Sequence, residues 1–116
     1  MKYLLLIYAS EATEPQPNTP EFGEMLEGYM AFGKEAEEKG VMLGGNALTP
    51  VETASTLRVR NGKVQVSDGP FAETKEQLGG YYLLDCKDLD QALDLASRIP
   101  GAAHGCVEVR PIAVFD

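Results

Sequence analysis

The chain has 116 residues and a formal charge of −8, from 18 acids against ten bases. Hydrophobic residues make up 44 % and charged residues 24 %, ordinary usage for one globular domain, which excludes a disordered, collagen-like or disulfide-dense chain. The few bases are scattered, so neither a phosphate backbone nor an anionic lipid surface is an expected partner, and the acidity reads as a solubility device.

Lys2 to Ala9 is rich in apolar and aromatic residues with little alternation, and reads as a central strand. Its run Leu4-Leu5-Leu6-Ile7 is far shorter than the ~20 apolar residues of a membrane span, and no clear cleavage pattern follows it. A cytoplasmic protein is the expectation. Ser10 to Asn18, with Pro15 and Pro17, is a loop. Thr19-Pro20-Glu21 starts a helix: a hydroxyl cap, a proline in the first turn and an acid at the positive dipole end. The helix is predicted to run to about Lys39 and stop at Gly40, with Phe22, Met25, Leu26, Tyr29, Gly33 and Ala36 on its buried face. Val41 to Leu48 is a second strand. Thr56 to Arg60 and Lys63 to Ser67 alternate around Asn61-Gly62, the signal for a hairpin with a type I′ turn. Asp68 to Phe71 is a turn, Ala72 to Leu78 a short helix, and Tyr81 to Cys86 a further strand. Asp88 and Gln91 form a capping pattern for a second long helix, with Leu89, Ala92, Leu93, Ala96 and Ile99 as its buried stripe and Pro100-Gly101 as its end. Gly105 to Val109 is the last strand, with Pro111 at an edge, a bulge or a break. Cys86 and Cys106 each sit in an apolar stretch and read as buried free thiols.

This order, β-α-β-hairpin-β-α-β, predicts an α+β fold: a ferredoxin-like βαββαβ plan with an added hairpin and two helices on one face of an antiparallel sheet. The strands alternate too little to leave the other face wet, so a homodimer packed through that face is expected.

The run Asp68-Gly69-Pro70-Phe71-Ala72-Glu73-Thr74-Lys75-Glu76-Gln77-Leu78-Gly79-Gly80-Tyr81-Tyr82 resembles the signature of the DGPF-type branch of the YciI-like (YCII-related) domain family. Met1 to Tyr8, Ala54 to Arg60 and Val107 to Ile112 resemble it too, so the likeness spans residues 1–116 as one domain. The resemblance implies a ferredoxin-like fold that dimerises into an α/β barrel. It implies a small bacterial protein of mostly unassigned biochemical role, often encoded beside sigma factors of the extracytoplasmic-function type, and hence a link to transcription control. Some relatives carry a His in the first helix that works with an Asp. Here Pro20 to Lys39 holds no His, a departure from that pattern.

Two readings of the Asp68–Gln77 segment compete. In one it closes over a small-molecule pocket, with Asp68 and Glu73 as acid or base, Phe71 as an apolar wall, and Thr74, Lys75 and Gln77 as polar contacts. In the other, turn chemistry alone accounts for it: Asp68 bonds local backbone, Gly69 takes a positive φ, Pro70 sets the next φ, and Phe71 plugs the core. His104, the only histidine, sits in a loop of small residues and is a weak candidate base without metal-ligand neighbours. Tyr8, Tyr81 and Tyr82 offer hydroxyls to a polar ligand or pack as amphipathic core, with Tyr81 and Tyr82 on opposite faces. Arg58, Arg60 and Arg110 sit on strands and offer guanidinium groups to a carboxylate ligand, while Arg58 and Arg60 share a strand face and have the ordinary reading of a solvent-facing or dimer-edge pair. Gly44-Gly45 and Gly79-Gly80 lack nucleotide-loop spacing, and no cofactor is expected. The reading that emerges is a dimeric, non-catalytic ligand-binding or interaction module. The alternative is an enzyme using Asp68 under the DGPF loop.

Overall fold

The computed structural model describes residues 1–115. Six strands and three helices follow in the order β1 (Lys2–Ala9), α1 (Pro20–Glu38), β2 (Met42–Ala47), β3 (Ser55–Arg60), β4 (Lys63–Asp68), β5 (Gln77–Asp85), α2 (Leu89–Ala96), α3 (Gly101–His104) and β6 (Cys106–Pro111), with a 3₁₀ turn at Val51–Thr53. The fold is α+β. Four strands make an antiparallel sheet in the order β2-β5-β1-β6, and β3 and β4 make a separate two-stranded sheet.

Local chemistry sets the helix ends. The Thr19 hydroxyl accepts from the Phe22 N–H at 3.2 Å, and Asp88 Oδ1 accepts from the Gln91 N–H at 2.9 Å. Gly40 follows α1 at φ +69°, a left-handed turn that a Cβ would strain. In α1 the buried side chains are Phe32 and Ala36. Phe32 belongs to the packed stripe and Gly33 only flanks it, a shift of one position from the predicted face. In α2 and its C-terminal turn the buried set is Ala92, Leu95, Ala96 and Ile99, spaced i, i+3, i+4, i+7. Leu89 and Leu93, expected in that stripe, lie on the neighbouring flank and are nearly half exposed.

The core lies between the helices and one face of the sheet. Tyr3, Leu5 and Ile7 of β1 alternate inward, joined by Leu84, Cys86, Phe32, Leu95 and Ile99. Tyr82 stacks on Phe32 with ring centroids 4.7 Å apart. The register places Leu4 opposite Leu83 and Leu6 opposite Tyr81 on the outer face, which no helix covers. The molecule is 18 Å deep along its shortest axis, room for one sheet and one helix layer.

Four local expectations are corrected. Ala72 to Leu78 is not a helix: the Gln77 side-chain amide donates to the carbonyls of Ala72 and Thr74, folding the segment into an irregular loop, and β5 begins at Gln77. His104 ends the one-turn helix α3 instead of lying in a loop. Cys86 is a buried core thiol, whereas Cys106, on edge strand β6, is exposed. Phe71 is 80 % exposed and plugs no core.

The β3–β4 hairpin turns through Asn61 (φ 53°) and Gly62 (φ 74°), both left-handed as a type I′ turn demands. It is an arm whose strands make extensive contact only with each other. Leu57, Val59, Val64 and Val66 line one of its faces and stand 53–65 % exposed.

Candidate functional site

One concavity opens on the helix side of the sheet, under the N-terminal half of α1, with a volume of about 640 Å³. Its origin is a floor of small residues. Gly80 pairs with Ile7 and with Ala47, and Gly45 pairs with Tyr82, so Ala9, Gly45, Ala47 and Gly80 lie beneath the helix where larger side chains would fill the space. Gly45 has no alternative, since a Cβ there would sit 2.5 Å from the Tyr82 ring. The roof is Phe22, Met25, Leu26 and Tyr29 of α1. The mouth is framed by the 11–17 loop and by the segment from Leu48 to Val51. Glu11 ties the two rims, its Oε1 accepting from the Val51 N–H at 3.0 Å.

The inner wall carries two phenols. Burial raises the Tyr29 pKa, helped by the nearby Tyr82 and Glu14 and partly offset by the Gly101 backbone N–H. Burial alone raises Tyr82. Both stay neutral hydroxyls at physiological pH, suited to hydrogen bonding and not to serving as bases. Close backbone approach holds Tyr29 and the helix above it in place: a Cβ at Gly28 would lie 2.7 Å from the Pro100 ring, and one at Gly101 would lie 2.6 Å from Ile7 and 3.1 Å from the Tyr29 hydroxyl.

The residues singled out from sequence are divided among three places. Tyr82 and Tyr81 border the cavity, but only Tyr82 faces the helices. Tyr81 shares the outer face with Leu6, and its hydroxyl accepts from the Asn46 amide at 3.0 Å. Tyr8, Thr74, Lys75 and His104 meet around a second, open depression together with Glu76 and Cys106. There the Cys106 thiol is pushed up, first by desolvation and then by the Glu76 carboxylate, which disfavours the thiolate a nucleophile needs. Asp68, Gly69, Pro70, Phe71 and Glu73 line neither concavity. Asp68 ends β4 as an exposed residue, and its carboxylate finds no hydrogen-bond partner among the described residues. The turn that follows acts structurally. Gly69 adopts φ +92°, donates its N–H to the Ala54 carbonyl at 2.6 Å, and accepts from the Thr56 hydroxyl at 2.8 Å, closing the root of the arm. The Asp68-Gly69-Pro70-Phe71 turn therefore borders neither of these two concavities, and Asp68 makes no hydrogen bond to His104 or to a tyrosine among the described residues.

Sequence reasoning assigned Phe22, Met25, Leu26 and Tyr29 to the core and did not see the cavity. The available signal was the pairing of a long apolar helix stripe with glycine-rich strands that have nothing to fill the space beneath it.

Comparison with known proteins places the chain. An uncharacterized protein of Rhizobium meliloti (strain 1021) is 39 % identical over 117 residues, covering 99 % of this chain and 94 % of the relative. Among solved structures, 5-chloro-2-hydroxyhydroquinone dehydrochlorinase from Burkholderia phenoliruptrix AC1100, in complex with 2,5-dihydroxybenzoquinone, aligns with a TM-score of 0.47 at 14 % identity, covering 97 % of this chain and 94 % of that one. The YCII-related domain matches residues 1–116 from end to end, and the chain belongs to that family.

Proposed function

We propose that this protein is a non-catalytic binding module that holds a small, largely apolar molecule in the cavity beneath α1. The observation that carries the reading is the cavity itself: about 640 Å³, walled by Phe22, Met25, Leu26, Tyr29 and Tyr82, within the range of small-molecule sites. Two neutral phenols supply orientation. The non-catalytic part rests on Asp68 lining neither concavity while His104 borders only the second, and on the cavity beneath α1 having no His or Lys to pair with its two glutamates among the described residues.

The working unit in this proposal is a ferredoxin-like dimer. The strand order β2-β5-β1-β6 with α1 and α2 as crossovers supports the ferredoxin-like plan. The uncovered outer face, with Leu4, Leu6 and Leu83 at its centre, supports two-fold packing of sheet on sheet into an α/β barrel. A second copy satisfies this face without obstructing the cavity on the opposite side.

The neutral fluorophore N-phenyl-1-naphthylamine tests the cavity. The expected result is enhanced emission and a raised Tm on binding, both reduced by Ala47→Phe, which fills the floor. No emission change in the native protein overturns the reading. Sedimentation tests the dimer: a particle of twice 12.6 kDa is expected, converted to a folded monomer by Leu6→Asp. A native protein that stays monomeric at micromolar concentration removes the dimer from the proposal.

A further inference from the structure

The charges around the cavity select among ligands. Glu11 and Glu14 line it, and no Lys, Arg or His does so among the described residues. Glu11 is engaged in its bond to the Val51 N–H. Glu14 is half-buried and its carboxylate has no donor among the described residues, while its charge is felt at the Tyr29 hydroxyl. Its position is built in. The Glu14 and Thr13 N–H groups donate to the Ser10 carbonyl at 3.1 and 3.0 Å, and the Gln16 amide donates to the carbonyls of Glu11 and Glu14 at 3.3 and 2.9 Å. An unpartnered carboxylate on an anchored stretch of backbone, beside an apolar wall, gains most from a cation that reaches it there.

We infer that the cavity takes a small organic cation: an ammonium on a compact aromatic or alkyl body. The ammonium sits against Glu14 and the electron-rich faces of the neighbouring aromatic rings, and the body lies on Met25 and Leu26. The net charge of −8 favours arrival of cations and opposes anions. This inference rests on the reading of the cavity as a ligand site and adds the charge of the ligand.

Three probes of one shape test it: 2-phenylethylamine as cation, 2-phenylethanol as neutral counterpart and 3-phenylpropanoate as anion, each titrated by calorimetry into native protein and into Glu14→Gln. The amine is expected to bind about tenfold tighter than the alcohol, the size of one charge-assisted hydrogen bond, and the propanoate weakest. The advantage should shrink with added salt. In Glu14→Gln the amine falls to the level of the alcohol, whose own affinity is unchanged. Equal binding of amine and alcohol to native protein overturns the cation assignment and leaves the cavity as a ligand site. So does an advantage that survives Glu14→Gln. Failure of all three probes and of the fluorophore overturns both readings together.

Discussion

The two halves of α1 share one apolar stripe and meet different fates. Toward the C-terminus, Phe32 and Ala36 are 1 % and 0 % exposed, closed against Tyr82, Leu5 and α2. Toward the N-terminus, Leu26 is 47 % exposed over a floor of glycine and alanine. Helical spacing is the same in both. What differs is the size of the side chains presented by the strands below. Periodicity names the face a helix turns inward, and the opposing register decides whether that face is filled.

The sharpest way to break this comparison is to truncate both halves. Phe32→Ala should cost about 3–5 kcal/mol, since it removes a ring from a packed site that cannot collapse around the loss. Leu26→Ala should cost under about 1 kcal/mol, because the leucine already borders open space. Urea unfolding measures both. Similar costs would mean that the cavity closes in solution and that the two halves are equivalent.

The β3–β4 arm extends the lesson. Its alternation is as regular as that of any strand in the molecule, yet Leu57, Val59, Val64 and Val66 face solvent. Asn61 and Gly62 both need left-handed backbone, and replacing them together with alanine should cost about 1–2 kcal/mol at each position. That is more than a lone two-stranded hairpin holds in reserve. Because the arm's strands make extensive contact only with each other, the loss is expected in the arm alone. Its amides should exchange faster while the global Tm stays close to native. A matching drop in Tm would show that the arm is part of the cooperative unit.

Much of the fold is legible in short stretches of sequence because its signals are local. Thr19 and Asp88 cap, Gly40 stops a helix, and Asn61-Gly62 turns a hairpin, each through bonds or dihedrals within a few residues. The loop after Phe71 misleads because Ala72 to Leu78 has helical composition, while Gln77 spends its amide on nearby carbonyls. The cavity is illegible for a different reason. Its floor is drawn from three strands, and only the pairing of Gly80 with Ile7 and Ala47 brings the small residues together. Asp68 stood out because acid-glycine-proline motifs serve loops over pockets and the roots of hairpins alike, and composition does not separate the two.

The smallest expected effect concerns how the closed half is pinned. Arg98 grips Glu35 of α1 through Nε–Oε1 and Nη2–Oε2, both at 2.7 Å, and Asp94 of α2 at 2.8 and 3.0 Å, while Lys39 meets Glu35 at 2.8 Å. These bonds, Arg98 first, hold the Glu35 carboxyl down at about 2 against an ordinary 4.5, and Arg98 lowers Asp94 as well. A carboxylate depressed in the folded state stabilises fully above its unfolded pKa and loses that contribution as pH falls toward the folded value. The Glu35 share is therefore present above about pH 4.5 and disappears between there and pH 2. The groups are solvent-exposed, so the effect is modest and weakens with salt. Other acids titrate in the same window, which makes the difference between proteins the useful quantity. Arg98→Ala should lower Tm slightly at pH 7, and its gap from the native protein should narrow below pH 4. Fluorophore binding should be unaffected, since the clamp lies beyond the filled half of the helix from the cavity. A clamp mutation that loosened ligand binding would mean that α1 moves as one lever, with its packed end setting the width of the open one.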